Sequence, residues 1–291
     1  MTDIIWLASF PKSGNTWVKL ILRAMNNGGE LNDINDKAAS ASCSSKELSV
    51  KFLGNVVDTE DYFRSKRNLI FERMVEASRG RRLIVKTHCC HILVSGQSLI
   101  PNHLSKGGIL IIRNPFDVVC SVMNHFGLSV SDAIELLTSN KSQIGGSTKS
   151  YPDWLISWQA FHNSWLKNFD KPLLVVRYED LLLEPEVHYA RIARFVSKDL
   201  SAIELQKLIA STTFEAFRDL EEKTGFKEKP SQAANFFNRG QIGYFKDLLS
   251  QKAINQIQDS LGTHMEKVGY KFVKDQLLIL PTTLTHGLSK M

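Results

Sequence analysis

Apolar residues along this chain gather into short unbroken runs, separated by longer stretches in which they recur every three or four positions. Ile4–Ala8, Leu83–Lys86, Gly108–Ile112 and Leu173–Val176 are the clearest runs. Their shortness and nearly continuous apolar character suit strands covered on both faces, as in a parallel sheet. Helical spacing extends from about Gly14 to Met25, near Asp58–Ser78, onward from Pro115, and over Ser131–Thr138, Asp153–Asn168, Glu186–Val196, Ser201–Ala210 and Ala253–Leu261. Pro115 suits a first helical turn, where no amide proton is needed. Trp154, Trp158, Phe161 and Trp165 recur at helical spacing and predict a core-facing stripe rather than a ligand platform. This alternation predicts an α/β fold: one domain over residues 1–291, with a central parallel sheet flanked by helices. Residues 275–291 lack periodicity and are expected to pack as an extended C-terminal arm. Asn26–Ser49, Asn140–Pro152 and Lys223–Asn238 read as loops long enough to border a ligand, the third of them as a lid.

The first run feeds Ser9-Phe10-Pro11-Lys12-Ser13-Gly14-Asn15-Thr16-Trp17 and then a helical pattern. A strand, a loop and a helix start make an anion cradle: free backbone N–H groups and the helix dipole face the ligand, and Lys12 adds a full charge. Lys12 precedes the only glycine of the loop by two residues. A nucleotide triphosphatase loop instead places its lysine directly after its second glycine, followed by a hydroxyl for Mg²⁺. The cradle is therefore P-loop-like without being a kinase loop.

Two further strand ends carry chemistry. In Leu83-Ile84-Val85-Lys86-Thr87-His88, period-two alternation sets Lys86 and His88 on one face at the carboxyl end of a strand, where open parallel sheets bind ligands. Arg113-Asn114-Pro115-Phe116-Asp117-Val118-Val119-Cys120-Ser121 follows the next strand. There Arg113 can clamp a phosphate bidentately and Ser121 is close enough in sequence to share it. Glu179 and Asp180 are expected to diverge on an extended strand and to be structural. The run His88-Cys89-Cys90-His91 cannot converge on one tetrahedral ion, so no metal site is expected.

Composition narrows the ligand. A net charge of +6 suits a polyanion, but no basic run is dense enough to argue for nucleic acid or a membrane surface; Arg79-Gly80-Arg81-Arg82 reads as a solvated turn. No segment approaches the roughly 18 apolar residues of a membrane span. Met1-Thr2-Asp3 leads straight into a strand, without a basic and apolar leader. Four cysteines, two of them adjacent, fit a reducing cytoplasm.

The loop at Ser9–Trp17 resembles, at all nine positions, the 5′-phosphosulfate loop of sulfotransferases, whose pattern is close to Ser/Thr-Phe/Tyr-Pro-Lys-Ser-Gly-Thr/Asn-Thr-Trp. Lys86-Thr87-His88 is similar to the family's Lys-Thr-His motif, and Arg113 to Ser121 to its 3′-phosphate motif. Val175 to Leu181 resembles a family segment whose tyrosine, here Tyr178, reaches toward the nucleotide. Ser211-Thr212-Thr213-Phe214 resembles an element bordering adenine, although helix capping by a hydroxyl explains it equally well. Asn238-Arg239-Gly240-Gln241-Ile242-Gly243-Tyr244-Phe245-Lys246 resembles Arg-Lys-Gly-x-x-Gly-Asp-Trp-Lys, with Asn238 in place of an arginine and Tyr244-Phe245 in place of Asp-Trp.

The resemblance implies transfer of a sulfuryl group from 3′-phosphoadenosine 5′-phosphosulfate to a hydroxyl or amine of a small-molecule acceptor, with no metal. It implies His88 as general base, Lys12 stabilising the leaving phosphate, and Lys86 on the sulfuryl oxygens. It further implies a donor site of Lys12, Ser13, Gly14, Asn15, Thr16, Trp17, Arg113, Ser121, Tyr178, Thr212, Phe214, Asn238, Arg239 and Gly240. A nucleotide kinase and a non-catalytic nucleotide-binding protein are the alternatives. The family's short C-terminal dimer motif has no clear match, and the oligomeric state stays open.

Overall fold

The structure is a computed structural model and describes residues 4–35, 41–229, 235–237, 239–281 and 287–290. Its centre is a five-stranded sheet of Ile4–Ser9 (β1), Ala41–Ser42 (β2), Leu83–Thr87 (β3), Ser105–Ile112 (β4) and Leu173–Arg177 (β5), in the order β2-β3-β1-β4-β5. Every neighbouring pair is parallel, with Trp6 opposite Val85 on one side and Gly108 on the other. Helices cover both faces, and the α/β expectation is borne out.

All six residues of β1 are buried, which is why its sequence is continuously apolar instead of alternating. Period-two geometry still divides it. Ile4, Trp6 and Ala8 join one core with Phe71, Leu110, Ile112 and Trp165, while Ile5 and Leu7 join the other with Val18, Ile21, Ile109 and Val176. Burial of such side chains is worth about 1.5–3 kcal/mol each, so β1 tolerates little change. Its neighbours lie on opposite sides, so the crevice at its carboxyl end is where a parallel sheet opens toward a ligand.

The sequence reading missed local elements where polar residues dominate. The stretch Asn26–Ser49, expected as a loop, contains β2 and the start of a helix, Lys46–Leu53, capped by Ser45. The helix expected from Asp153 begins at Trp158, with Ser157 as its cap. Asp153 and Trp154 belong instead to a short strand, Pro152–Trp154, paired antiparallel with Gln143–Gly145. Trp158, Phe161 and Trp165 remain the buried stripe, and Trp154 packs edge-on against Phe63. Glu179 and Asp180 sit on a helical turn, Tyr178–Leu183, not on an extended strand. Their roles are structural: Asp180 takes a two-bond grip from buried Arg177, and Glu179 accepts from Asn114 and the Tyr270 hydroxyl. Beyond Lys274, Gln276–Ile279 pairs with Tyr270–Val273 as a hairpin, and Lys290 bridges Leu173 at the edge of β5.

Candidate active site

A cleft of about 990 Å³ lies over the carboxyl ends of β1, β3 and β4, at the upper end of the range of roughly 300–1,000 Å³ usual for ligand sites. One end of it is built by the loop after β1. Lys12 has φ 66° and Gly14 φ 103°, two left-handed residues that turn the chain sharply into helix Asn15–Asn26. Gly14 is required twice over, since a Cβ there would also stand 2.8 Å from the Tyr178 ring. No side chain caps this helix, so its first N–H groups are directed at whatever anion fills the cleft.

The loop's side chains divide by direction. Thr16, Trp17 and Lys12 line the cleft. Ser13 is fully buried, and its Oγ has no hydrogen-bond partner among the described residues. Asn15 turns its amide beneath the loop, donating to the Leu7 carbonyl at 2.9 Å and to Ser9 Oγ at 3.2 Å. Trp17 donates its indole N–H to the Thr212 carbonyl at 3.0 Å. The Thr212 hydroxyl faces away, to the Leu208 carbonyl and the Tyr189 hydroxyl; Thr212 therefore steadies Trp17 rather than reaching the cleft, because it lies in the last turn of a helix whose carbonyl it caps. Phe214 does line the cleft.

Arg113 is braced across the cleft floor. It donates to the Lys12 carbonyl at 3.1 Å, and its guanidinium lies 4.1 Å from the Tyr178 ring and 5.7 Å from that of Tyr244. Its buried Nε has no partner among the described residues. Asp117 of the same motif explains the following loop: its carboxylate accepts from the backbone N–H groups of Gly243 and Phe245, and its carbonyl accepts from the Tyr244 hydroxyl. The Tyr244-Phe245 departure thus has a physical account. Phe245 stacks on Phe116 at 4.8 Å, while Tyr244 also lies under Arg239, 5.4 Å away. Arg239, Gly240 and Ser121 line the cleft with Tyr244, and Gly240 is pressed against Phe214. Asn238 lies outside the described residues.

Three charged residues belong to this site that no motif announced. Lys19, one turn after Thr16, reaches the cleft, and Glu228 pairs with it. The Glu228 carboxylate also meets Lys86 Nζ and Thr16 Oγ1, each at 3.4 Å. Burial opposes its charge, but Lys86 and Lys19 outweigh that and hold it down at about 2. A carboxylate therefore rests where cations and a helix start converge, which is the placement an anionic ligand would want. The third is Asp153, described below. Lys12 donates to His125 Nδ1 at 3.2 Å and lies over the Phe236 ring. Burial, then Lys86 and Arg113, lower its pKa to about 7.

His88 stands at the end of β3. Its Nδ1 lies 2.7 Å from the Ser9 carbonyl, and a carbonyl only accepts, so Nδ1 carries the proton and Nε2 is left as the acceptor. Burial and then Lys86 lower its pKa to about 4, which keeps it neutral at physiological pH. Behind it Cys43, Cys89 and Asp153 lie close enough together to suggest a metal set. The buried Arg67 guanidinium, 3.8 Å from Cys89 Sγ, opposes a cation there.

The sulfotransferase domain family matches residues 2–269 of this chain. The chain belongs to the sulfotransferase family. Its most similar relatives include cytosolic sulfotransferase 12 of Arabidopsis thaliana, 25% identical over 93% of this chain and 79% of that protein. Another is sulfotransferase 1B1 of Canis lupus familiaris, 27% identical over 75% of this chain and 67% of that protein. In fold, the chain is similar to mouse sulfotransferase SULT7A1 complexed with PAP, with a TM-score of 0.59, 17% identity, and coverage of 91% and 84% of the two chains. It is also similar to retinol dehydratase in a complex with retinol and PAP, with a TM-score of 0.57, 19% identity, and coverage of 91% and 82%. The enzyme is thus a sulfotransferase dependent on 3′-phosphoadenosine 5′-phosphosulfate. No helix among the described residues is long and apolar enough to cross a membrane.

Proposed function

We propose that this sulfotransferase, acting as one domain in the cytoplasm, sulfates a hydroxyl or amine of a small-molecule acceptor, with His88 as general base. The observation that carries this reading is the His88 Nδ1 to Ser9 carbonyl bond, which presents a basic Nε2 to a cleft whose other end is an uncapped helix start. The residues fit the donor: Ser13 Oγ and Arg113 Nε are buried without partners among the described residues, and a carboxylate already sits on Lys19, Lys86 and Thr16. Lys12, Ser13, Gly14, Asn15, Thr16 and Trp17 would hold the 5′ end, Asn15 by its backbone. Arg113, Ser121, Arg239 and Gly240 would hold the 3′-phosphate, with Tyr178 and Phe214 beside the nucleoside.

The donor supplies a sulfuryl group on a good leaving phosphate. An acceptor oxygen or nitrogen forms the new bond to sulfur as the bond from sulfur to the bridging oxygen breaks. The electron pair stays on the 5′-phosphate, where Lys12 offsets the charge, and the acceptor proton passes to His88 Nε2. Lys86 then bears on the sulfuryl oxygens once Glu228 has withdrawn. In support of a small acceptor, the one cleft of about 990 Å³ has to house the donor as well as the acceptor. A retinol dehydratase of the same fold was solved with retinol, and a relative from Photinus pyralis is a luciferin sulfotransferase.

Labelled donor incubated with a panel of small alcohols, phenols and amines, with and without Mg²⁺, tests the reading. Sulfated product independent of Mg²⁺ is expected, and His88→Ala should lower turnover about 10²–10⁴-fold while still binding the bisphosphate product in calorimetry. Near-wild-type turnover by the variant, or Mg²⁺-dependent ATP turnover instead of sulfation, would overturn it.

A further inference from the structure

Asp153 is a carboxylate that the transfer chemistry does not require, placed beside the base that it does. It lies on the strand Pro152–Trp154, is 8% exposed, and lines the cleft together with His88, Ser42, Ser45, Ile144 and Ser150. It is near enough to His88 for the two charges to act on each other. Its two oxygens are used unequally. Oδ1 accepts from the Ser44 hydroxyl, from Cys89 Sγ at 3.0 Å and from Cys43 Sγ at 3.7 Å. Among the described residues no recorded hydrogen bond reaches Oδ2. An ionised carboxylate offers about four acceptor positions, so half of this one is anchored and half is left over.

A structural counter-ion role does not account for that half. Arg67, the buried cation nearby, donates to the carbonyls of Leu99 and Cys43 and to the Tyr62 hydroxyl, and no ion pair joins it to Asp153 among the described residues. A negative group next to the site of a polyanionic donor is also unfavourable by itself. Burial raises its pKa to about 6, still low enough to leave it mostly ionised at neutral pH. A rigid, half-satisfied acceptor facing a cleft calls for a ligand that donates.

We infer that Asp153 selects acceptors bearing a second hydrogen-bond donor next to the group being sulfated, a vicinal diol, a catechol or an amino alcohol. The inference rests on the sulfation reading above: with the reacting group at His88 Nε2, the adjacent hydroxyl or ammonium meets Asp153 Oδ2. Asp153 is then a specificity residue, and it takes no proton in the reaction.

Matched pairs test it: catechol against 2-methoxyphenol, and 1,2-propanediol against 1-methoxy-2-propanol, in which the second oxygen is kept but cannot donate. The native enzyme should favour the donating member of a pair by about 10- to 100-fold in kcat/KM. Asp153→Asn keeps an oxygen for Ser44 but turns N–H groups toward the cleft, and should bring that ratio close to one, with bisphosphate binding in calorimetry reporting that the variant is folded. Equal kcat/KM within the pairs for the native enzyme overturns the inference. So does an Asp153→Asn variant that slows both members by the same factor, the mark of a structural or base-tuning role. Sulfation of other hydroxyl compounds while neither pair reacts overturns it as well. Failure to sulfate anything at all is a failure of the sulfation reading instead.

Discussion

The two ends of the cleft are built from different materials. The end proposed for the donor is framed by backbone, with Lys12 and Arg113 set on that frame: a turn with two left-handed residues, a helix start without a side-chain cap among the described residues, and a glycine loop whose N–H groups are gathered by Asp117. The end proposed for the acceptor is side chains from segments far apart in sequence, with Ser42, Ser45, His88, Ile144 and Asp153 meeting around one volume. A backbone site recognises charge and geometry common to one donor. A side-chain site can change its ligand by substitution without disturbing the fold. That division lets one family keep its donor while its acceptors vary.

The sharpest way to break the comparison is to damage the backbone end alone. Gly14→Ala places a Cβ 2.8 Å from the Tyr178 ring on a residue at φ 103°. A non-glycine residue held in such a conformation costs about 1–3 kcal/mol, so bisphosphate affinity by calorimetry should fall roughly 10- to 100-fold. Unchanged affinity would mean that side chains, not the turn, hold the donor.

Acid–base behaviour compares the two ends within one measurement. In the proposed mechanism His88 must be neutral to accept a proton and is held down at about 4, and Lys12 must be charged and is held down at about 7. For the free enzyme, kcat/KM should therefore rise through about pH 4, level off, and fall above about pH 7, tenfold per unit beyond each limb. Donor binding adds negative charge beside Lys12 and raises its pKa, so the alkaline limb of kcat should lie higher. Coincident alkaline limbs in kcat and kcat/KM would place the Lys12 ammonium away from the donor.

The smallest effect belongs to the contact that spans the cleft. Glu228 would compete with the donor for Lys19 and Lys86, yet it is about two-fifths exposed, and such pairs are worth about 0.2–1 kcal/mol. Glu228→Gln should tighten bisphosphate binding roughly 1.5- to 5-fold in low salt, and less as salt is raised. Weaker binding would instead make Glu228 part of the donor site.

Legibility in the sequence follows the same division. The Ser9–Trp17 loop, the Lys86–His88 strand end and the Arg113 turn could be found because backbone sites need particular residues at consecutive positions. Asn15 and Thr212 lay within the recognised motifs, but their side chains turned out to brace the loop and Trp17; a motif shows that a residue matters without showing which way it points. Lys19 carried a usable signal, one helical turn beyond Thr16 on the same face. Glu228 carried none, since its meaning depends on a chain reversal some 200 residues from the lysine it meets, as shown by its pairing with Lys19. The helix misplaced at Asp153 failed for a local reason: Trp154 continues the spacing of the true stripe, and only pairing with Gln143–Gly145 pulls it into a strand.

By itself, then, the amino-acid order determined the parallel sheet, the anion cradle and the place of His88 at a strand end, because buried strands and backbone turns leave period and glycine placement in contiguous residues. The tertiary structure alone decided how the acceptor end is furnished. Asp153 comes to face the cleft beside His88 only when a hairpin folds over the end of β3 and Ser44, Cys43 and Cys89 seize one of its two oxygens, contacts between residues more than sixty positions apart that no local pattern encodes.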